Sequence, residues 1–189
     1  KQEKDNLIER IKGLINDKRH YAYNRLIEEM CRGEKYGVCE LGTIDGVSNI
    51  TSDSLMAHYK KIINDSPIDI FVSGNLSKEK AIELVKEYTK DLKPRDGKYP
   101  KTIIGQLPKE VRYIDEKLDV TQGKLSMGYR VKDADEYAMI LFNTIFGGST
   151  TSKLFLNVRE KLSLAYYASS SFDRYKGIMT VNSGIEFEN

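Results

Sequence analysis

The residue types that most often hold metal ions are scarce in this chain and unfavourably spaced. Its two histidines, His20 and His58, both fall within helical patterns. A zinc site on a helix needs two ligands four residues apart on one face. At that distance Asn24 follows His20 and Ile62 follows His58. We therefore expect both histidines to be surface or half-buried helix residues that bind no metal.

Other common catalytic patterns are also missing from the sequence. Cys31 and Cys39 form one loose pair, whereas a zinc ribbon requires two close pairs, so we expect free thiols with a structural role. The sequence has no GxSxG elbow and no Walker loop. The Ser-Thr-Thr-Ser run at 149–152 is interpreted as a helix cap rather than a phosphate-binding nest.

One pair of residues has the chemistry to hold a peptide. Arg159 falls in the last turn of a predicted helix, and Tyr166 begins the next strand seven residues later. Because the connection is short, we expect both side chains to reach one helix-to-strand corner. A guanidinium offers planar donors to carbonyl groups, and a phenol can donate to a developing oxyanion. The alternative is a packed tyrosine with a local hydrogen bond, beside an arginine in a surface ion pair with Glu160 or Glu136.

The helices that would position these residues are predicted from apolar periodicity. Apolar residues recur at spacings of three and four from Leu7 to Met30, with an interruption or an end at Asn16-Asp17. Capping residues precede further helices, and a last helix follows the glycine break at 147–148. The capping residues are Thr51, Ser77 and Asp133 to Asp135, and the last helix is predicted over 152–162.

Several segments have the composition or the alternation of β-strands. The short apolar run 68–73 suits a strand that is covered on both faces. Alternation predicts strands at 111–115 and 124–131, and a hairpin formed by 163–172 and 177–184. The stretch 93–108 holds three of the four prolines and is typical of a linker.

The composition is that of an ordinary globular protein. Hydrophobic residues make up 40% of the chain and charged residues 31%, and the net charge is only +2. This balance disfavours nucleic acid and anionic membranes as partners, and no apolar run approaches the ~20 residues that span a bilayer. We predict a cytoplasmic protein, and because the chain opens directly on a helical pattern we expect a segment of a larger one.

The segment from Phe146 to Tyr166, FGGSTTSKLFLNVREKLSLAY, resembles the second-half signature of the insulinase/pitrilysin (inverzincin) family of zinc metallopeptidases. The matching features are a Gly-Gly break, a Ser-x-Leu-Phe helix, an Arg-Glu pair and a Leu-Ala-Tyr strand. Upstream, the run IDIFVSGNL at 68–76 and the helix after it are similar to the family's junction region. The resemblance extends over essentially the whole chain.

The resemblance implies an α+β fold of two-layer units, with helices packed on a sheet as in mitochondrial processing peptidase-like metallohydrolases. Residues 1–93 would be the C-terminal part of the first peptidase-like half, 94–110 a linker, and 111–189 the N-terminal part of the second half. Arg159 and Tyr166 match the arginine and tyrosine with which the family binds substrate backbone. The family's HxxEH zinc motif is missing here, so zinc would belong to the parent protein or to a partner chain.

The resemblance also concerns a glutamate zinc ligand that the family carries on the first helix of this segment. The family has two glutamates seven residues apart there, and Glu3 matches the earlier, assisting one. Without a gap, the ligand position is Arg10, a cation that repels Zn²⁺. With a shift of one residue, the ligand is Glu9 instead. The first alignment implies a member of the family's non-catalytic branch.

Taken together, the resemblance implies a segment of a zinc protease subunit that contacts substrate backbone through Arg159 and Tyr166. Peptide hydrolysis would be left to a catalytic partner chain or to an N-terminal half outside this sequence. The alternative is a structural or assembly subunit of the same family with no catalytic role. Nucleic-acid binding is disfavoured further because no sheet face combines basic and aromatic residues.

Overall fold

The computed structural model describes residues 1–92, 99, 101, 105 and 107–187. The chain forms two compact units, one made of Lys1–Val47 with Ile103–Asn189 and the other of Ser48–Thr102. Most of the predicted linker at 94–110 lies outside the described residues, and the assignment of the chain to two peptidase-like halves stays a prediction. The first helices therefore share a compact unit with the C-terminal part of the chain.

The first unit opens with two helices that are separated by a short break. Helix α1 spans Gln2–Gly13, a 3₁₀ turn covers Leu14–Asn16, and helix α2 spans Lys18–Met30. The Asp17 carboxylate accepts hydrogen bonds from the backbone N–H groups of Arg19 and His20, at 3.1 and 3.0 Å. Asp17 therefore caps a new helix, and the predicted interruption at Asn16-Asp17 is present.

Three helices follow, and two of them begin at the predicted caps. Helix α3 spans Ile44–Ser48, α4 spans Ser52–Asp65 and α5 spans Lys78–Tyr88. Thr51 forms a reciprocal capping box with Ser54, and the Ser77 hydroxyl accepts from the backbone N–H of Lys80. In the described part of the chain, no helix has both the length and the apolar character needed to cross a membrane.

Two predicted strands, 68–73 and 111–115, are wrong. Both segments are described, and neither forms a ladder with any described strand. Phe71, in the middle of the first, leaves 93% of its surface exposed. A strand is stabilised by backbone hydrogen bonds to a neighbour, so β-branched composition is not enough when no described strand lies alongside.

The other predicted strands form one antiparallel sheet. Strand β1 spans Gly123–Arg130, β2 spans Ala165–Asp173 and β3 spans Ile178–Ile185, in the spatial order β1-β3-β2. The predicted hairpin is therefore confirmed as β2 and β3. Its turn needs Gly177, which has a φ of +59° and whose added Cβ would collide with the Val131 carbonyl oxygen.

Helices pack against this sheet and bury its central strand. Ile178 of β3 is buried against Ile27 and Cys31 of the α2 region. On the opposite face lies helix α6, Glu136–Phe146, where the Ser170 hydroxyl of β2 donates to the Asn143 side chain at 2.8 Å. The arrangement is α+β with helices on an antiparallel sheet, which confirms the predicted fold class.

A buried ion pair joins the end of α2 to β1. The side chains of Arg130 and Glu34 are only 6% and 8% exposed and are in direct contact. Arg130 also donates to the Met30 carbonyl at 3.2 Å and to the Cys31 sulfur at 3.4 Å. Burial raises the pKa of the Cys31 thiol, and Cys39 is half-buried; both are free thiols, as predicted.

The first glycine of the Gly-Gly break lets α6 end directly on β2. The backbone N–H of Ser170 donates to the Gly147 carbonyl at 2.9 Å. A Cβ at position 147 would lie 2.7 Å from that same nitrogen and 2.6 Å from the Ser170 hydroxyl oxygen. Only glycine allows this close approach of helix end and strand.

We expect Gly147→Ala to lower the free energy of unfolding of the first unit by about 1–3 kcal/mol, because the added methyl forces β2 away from α6. Hydrogen exchange of the β2 amides would measure the loss. Gly13→Ala is the matched control, since a Cβ there meets nothing within 4 Å. It should be neutral or stabilising by up to about 1 kcal/mol. Equal effects of the two substitutions would contradict the packing argument.

Candidate functional site

Arg159 lies on an unusually wide helical turn. The predicted α-helix at 152–162 is a π-helix over Phe155–Lys161. The backbone N–H of Leu162 donates to the Asn157 carbonyl, five residues back, at 3.0 Å. Turns of this kind are rare and are found frequently at functional sites.

The chain reverses direction immediately after this turn. Ser163 has a φ of +53°, in the left-handed region that non-glycine residues adopt uncommonly. The backbone N–H of Leu164 then donates to the Val158 carbonyl at 3.1 Å, and β2 begins at Ala165. This tight reversal brings Arg159 and Tyr166 to one corner, as their spacing predicts.

The Arg159 guanidinium is fixed by local contacts, but part of its hydrogen-bonding capacity remains open to solvent. Its Nε donates to the Tyr166 carbonyl at 3.1 Å, and Nη1 donates to Glu160 at 2.6 Å. The group also lies over the Phe155 ring, 4.8 Å from its centre. The side chain remains 44% exposed, and Nη2 forms no hydrogen bond with any described residue. The local ion pair that the sequence allowed is therefore present, together with a solvent-facing edge that can donate.

Tyr166 is turned outward by a β-bulge. The β2–β3 register shifts between Ala165 and Tyr167, so Tyr166 is the extra residue of the bulged strand. Its side chain is 57% exposed, and its hydroxyl donates to Glu186 at 2.7 Å. Because the proton points to Glu186, the hydroxyl offers acceptor lone pairs to a ligand rather than the donor that an oxyanion needs.

Glu186 was not singled out by the sequence, because it lies beyond the predicted hairpin, which ends at residue 184. Glu186 directly follows Ile185, the partner of Ala165 at the start of β2, and its side chain reaches the Tyr166 hydroxyl. Gln122 also approaches closely enough to affect the pKa of the Tyr166 hydroxyl. We call Arg159, Tyr166 and Glu186 together the Arg–Tyr corner.

The Glu186 carboxylate raises the pKa of Tyr166, first through the hydrogen bond and then through its negative charge. We expect Glu186→Gln to lower the Tyr166 pKa towards its ordinary value. Because the pKa is raised in the folded state, the stabilisation is complete below the ordinary tyrosine pKa and is lost as alkaline pH rises through the folded value. A titration followed by ¹³C-tyrosine NMR, with Tyr166→Phe to assign the signal, measures it. An unchanged pKa would contradict the hydrogen bond.

The residues considered as metal ligands do not lie close together. Glu9 is 71% exposed and pairs with Lys12 at 2.8 Å, next to Arg10 on α1. His20 is exposed and contacts Asp17 at 2.6 Å, while His58 is also exposed. Among the residues that the structure describes, no group of three or more His, Cys, Asp or Glu side chains could hold a metal ion. The candidate ligands that the structure describes therefore do not fit a zinc site.

Comparison with known proteins identifies the family to which the chain belongs. The sequence profile described as "Peptidase M16 inactive domain" matches residues 49–189. The chain belongs to this family. The insulinase-type resemblance is thereby confirmed, and the matched range includes the whole Arg–Tyr corner.

Relatives of this M16 chain have related descriptions. The Bacillus subtilis protein "Probable inactive metalloprotease YmfF" is 41% identical over all of this chain and 45% of its own length. The "Uncharacterized zinc protease SCO5738" of Streptomyces coelicolor is 30% identical over 67% of this chain and 29% of its own length. The chain therefore spans less than half the length of these relatives.

Solved structures agree with the fold. A conserved protein from Enterococcus faecalis superposes with a TM-score of 0.89 at 33% identity, over 97% of this chain and 44% of that one. A peptidase M16 inactive domain from Pseudomonas fluorescens gives a TM-score of 0.69 at 20% identity, over 98% of this chain and 46% of that one. The second likeness concerns the fold alone.

Proposed function

We propose that this M16 segment holds the backbone of an extended peptide at the Arg–Tyr corner while hydrolysis takes place elsewhere. The catalytic zinc would belong to a partner chain or to another part of the parent protein. The proposal rests mainly on one observation: the half-exposed Arg159 guanidinium contacts the backbone carbonyl of Tyr166, and a bulge turns the Tyr166 side chain outward at the same corner. A bulge re-aims a side chain and is common next to active sites.

The chemistry of the two groups suits one residue of an extended peptide, whose N–H and C=O point to the same side. The exposed edge of the Arg159 guanidinium can donate to a peptide carbonyl, and the Tyr166 hydroxyl can accept from a peptide N–H because its own proton goes to Glu186. A hydrogen bond from a charged donor contributes roughly 1.5–3 kcal/mol, and a neutral one roughly 0.5–1.5 kcal/mol. Together they supply useful affinity for any extended sequence, because they contact no side chain of the peptide.

A purely structural role is the second candidate, and one observation favours it. Arg159 already bonds to Glu160 and to the Tyr166 carbonyl, contacts that serve folding without any ligand. In that case the chain would supply a wall or an assembly surface for a catalytic partner. The two candidates differ in what substitution of Arg159 does to turnover.

We expect Arg159→Ala, introduced into the intact parent protein with its catalytic partner, to lower kcat/KM for peptide cleavage by about 10- to 100-fold. Assembly, monitored by size-exclusion chromatography, should be unchanged, because the side chain is half-exposed. Arg174→Ala is the matched control, since Arg174 also forms an exposed ion pair, with Glu136, away from the corner. Unchanged turnover in Arg159→Ala would leave the structural role as the better account.

A further inference from the structure

A groove in the first unit combines an apolar floor with an excess of positive charge. It has a volume of about 530 Å³ and lies between α2, the extended segment 112–120 and the start of β1. We call its apolar lining the floor; it includes Leu26, Leu118, Val120 and Phe187, and the last of these is 69% exposed. Five cationic side chains line it, against only two carboxylates; the cations are Lys18, Arg25, Arg112, Lys117 and Lys124.

The two carboxylates are both engaged by one arginine. Arg25 donates from Nε to Glu116 at 2.7 Å and from Nη2 to Glu29 at 3.2 Å. Tyr21 donates to Glu116 as well, at 2.9 Å, and Arg32 donates to Glu29 at 2.5 Å. Both carboxylates consequently have a pKa below the ordinary value and remain ionised at neutral pH.

The other four cations have no carboxylate partner in the described part of the chain. Lys124 donates to the Gln122 side chain at 3.0 Å, and Arg112 donates to the Glu29 backbone carbonyl at 2.5 Å. Lys18 and Lys117 form no hydrogen bond or ion pair with any described residue. The rim of the groove therefore carries positive charge that a ligand can neutralise.

The groove adjoins the Arg–Tyr corner. Gln122 lines the groove and also approaches the Tyr166 hydroxyl. Phe187, on the floor, directly follows Glu186, which accepts the hydrogen bond from Tyr166. A chain held at the corner could thus continue over Phe187 into the groove.

We propose that this basic groove (the surface lined by Lys117, Lys124, Leu118 and Phe187) binds a peptide segment in which acidic residues alternate with apolar ones. The apolar floor favours such a peptide over a nucleic acid, because a phosphate backbone offers nothing to bury there. As the site of a substrate segment, the groove rests on the proposed function and would add a preference for acidic flanking sequence. Binding of an acidic peptide in the groove does not require the proposed function, because it depends only on the charge and the apolar lining of the groove.

The test uses the intact parent protein and a short fluorescein-labelled peptide of alternating glutamate and leucine, followed by fluorescence anisotropy. A peptide with lysine in place of glutamate is the matched ligand. We expect the acidic peptide to bind at least about tenfold more tightly than the basic one, and to weaken as salt is raised. The double variant Lys117→Glu/Lys124→Glu should reverse this preference. Its tighter binding of the basic peptide would show that the variant is folded.

Lys86→Glu/Lys90→Glu, an equal change of charge on exposed residues at the end of α5, should leave the preference intact. Equal binding of the two peptides, or undiminished binding of the acidic peptide by Lys117→Glu/Lys124→Glu, overturns the proposal. Tighter competition by a single-stranded oligonucleotide than by the acidic peptide also overturns it, in favour of a polyanion site. Binding is read independently of turnover, so failure of Arg159→Ala to affect cleavage would remove the substrate role without touching the groove.

Discussion

Arg130→Met is expected to lower the free energy of unfolding of the first unit by about 3–5 kcal/mol. The substitution keeps much of the side-chain volume but leaves Glu34 buried at 8% exposure without its cation. It also removes the hydrogen bonds to the Met30 carbonyl and the Cys31 sulfur. Hydrogen exchange of the β3 amides in the parent protein measures the loss locally, because β1 and β3 are paired along their whole length.

Two comparisons separate the buried charge from a general loss of packing. Arg130→Met/Glu34→Leu removes both charges and should recover most of the stability, since an apolar pair needs no compensation. Arg174→Ala breaks an ion pair whose side chains are 47% and 46% exposed, and it should cost no more than about 1 kcal/mol. A double variant as unstable as Arg130→Met alone would contradict the role assigned to the ion pair.

Removing the Arg159 guanidinium and the Tyr166 hydroxyl together should have the largest effect on activity. For Arg159→Ala/Tyr166→Phe in the parent protein we expect kcat/KM for peptide cleavage to fall by about 10²- to 10³-fold, as two hydrogen bonds to the substrate are lost. Because both groups would hold the same residue of the extended peptide, the effects of the single substitutions should not simply add. Steady-state kinetics on all three variants measure this coupling.

A second arginine–tyrosine pair, just beyond the other end of β2, provides the control. The Arg174 guanidinium donates to the Tyr175 hydroxyl at 2.5 Å, and both side chains are exposed on the turn between β2 and β3. Arg174→Ala/Tyr175→Phe should leave kcat/KM within about threefold of the unmodified protein, an effect below 1 kcal/mol. A comparable fall in kcat/KM for this control would contradict a specific role of Arg159 and Tyr166 in holding the peptide.

The helices were predictable because their signals are local. Thr51 and Ser77 each bond to backbone N–H groups within their own first turn, so the sequence alone contains the whole interaction. The hairpin is similar, since alternation and a short polar turn specify β2 and β3 together. The corner could be anticipated for the same reason: only seven residues separate Arg159 from Tyr166.

What escaped prediction depends on distant partners. The runs 68–73 and 111–115 have strand composition but no described neighbour to pair with. Arg130 and Glu34 are 96 residues apart, so nothing in either local pattern marks them as a pair. The outward turn of Tyr166 depends on a register shift. Because only Ala165 precedes Tyr166 in β2, too few residues lie before the shift for a break in the alternation to be visible in the sequence.

Peptide contact at the corner is tested most directly by photo-cross-linking from position 166. Tyr166 would be replaced by p-benzoylphenylalanine in the intact parent protein, and a labelled substrate peptide irradiated in its presence. The same replacement at Tyr175 is the reference, because that ring is also exposed, at 72%. If the corner holds the peptide, adducts form at position 166 and are competed by unlabelled peptide. Adducts at 175 but not at 166, or none that unlabelled peptide removes, would contradict the account.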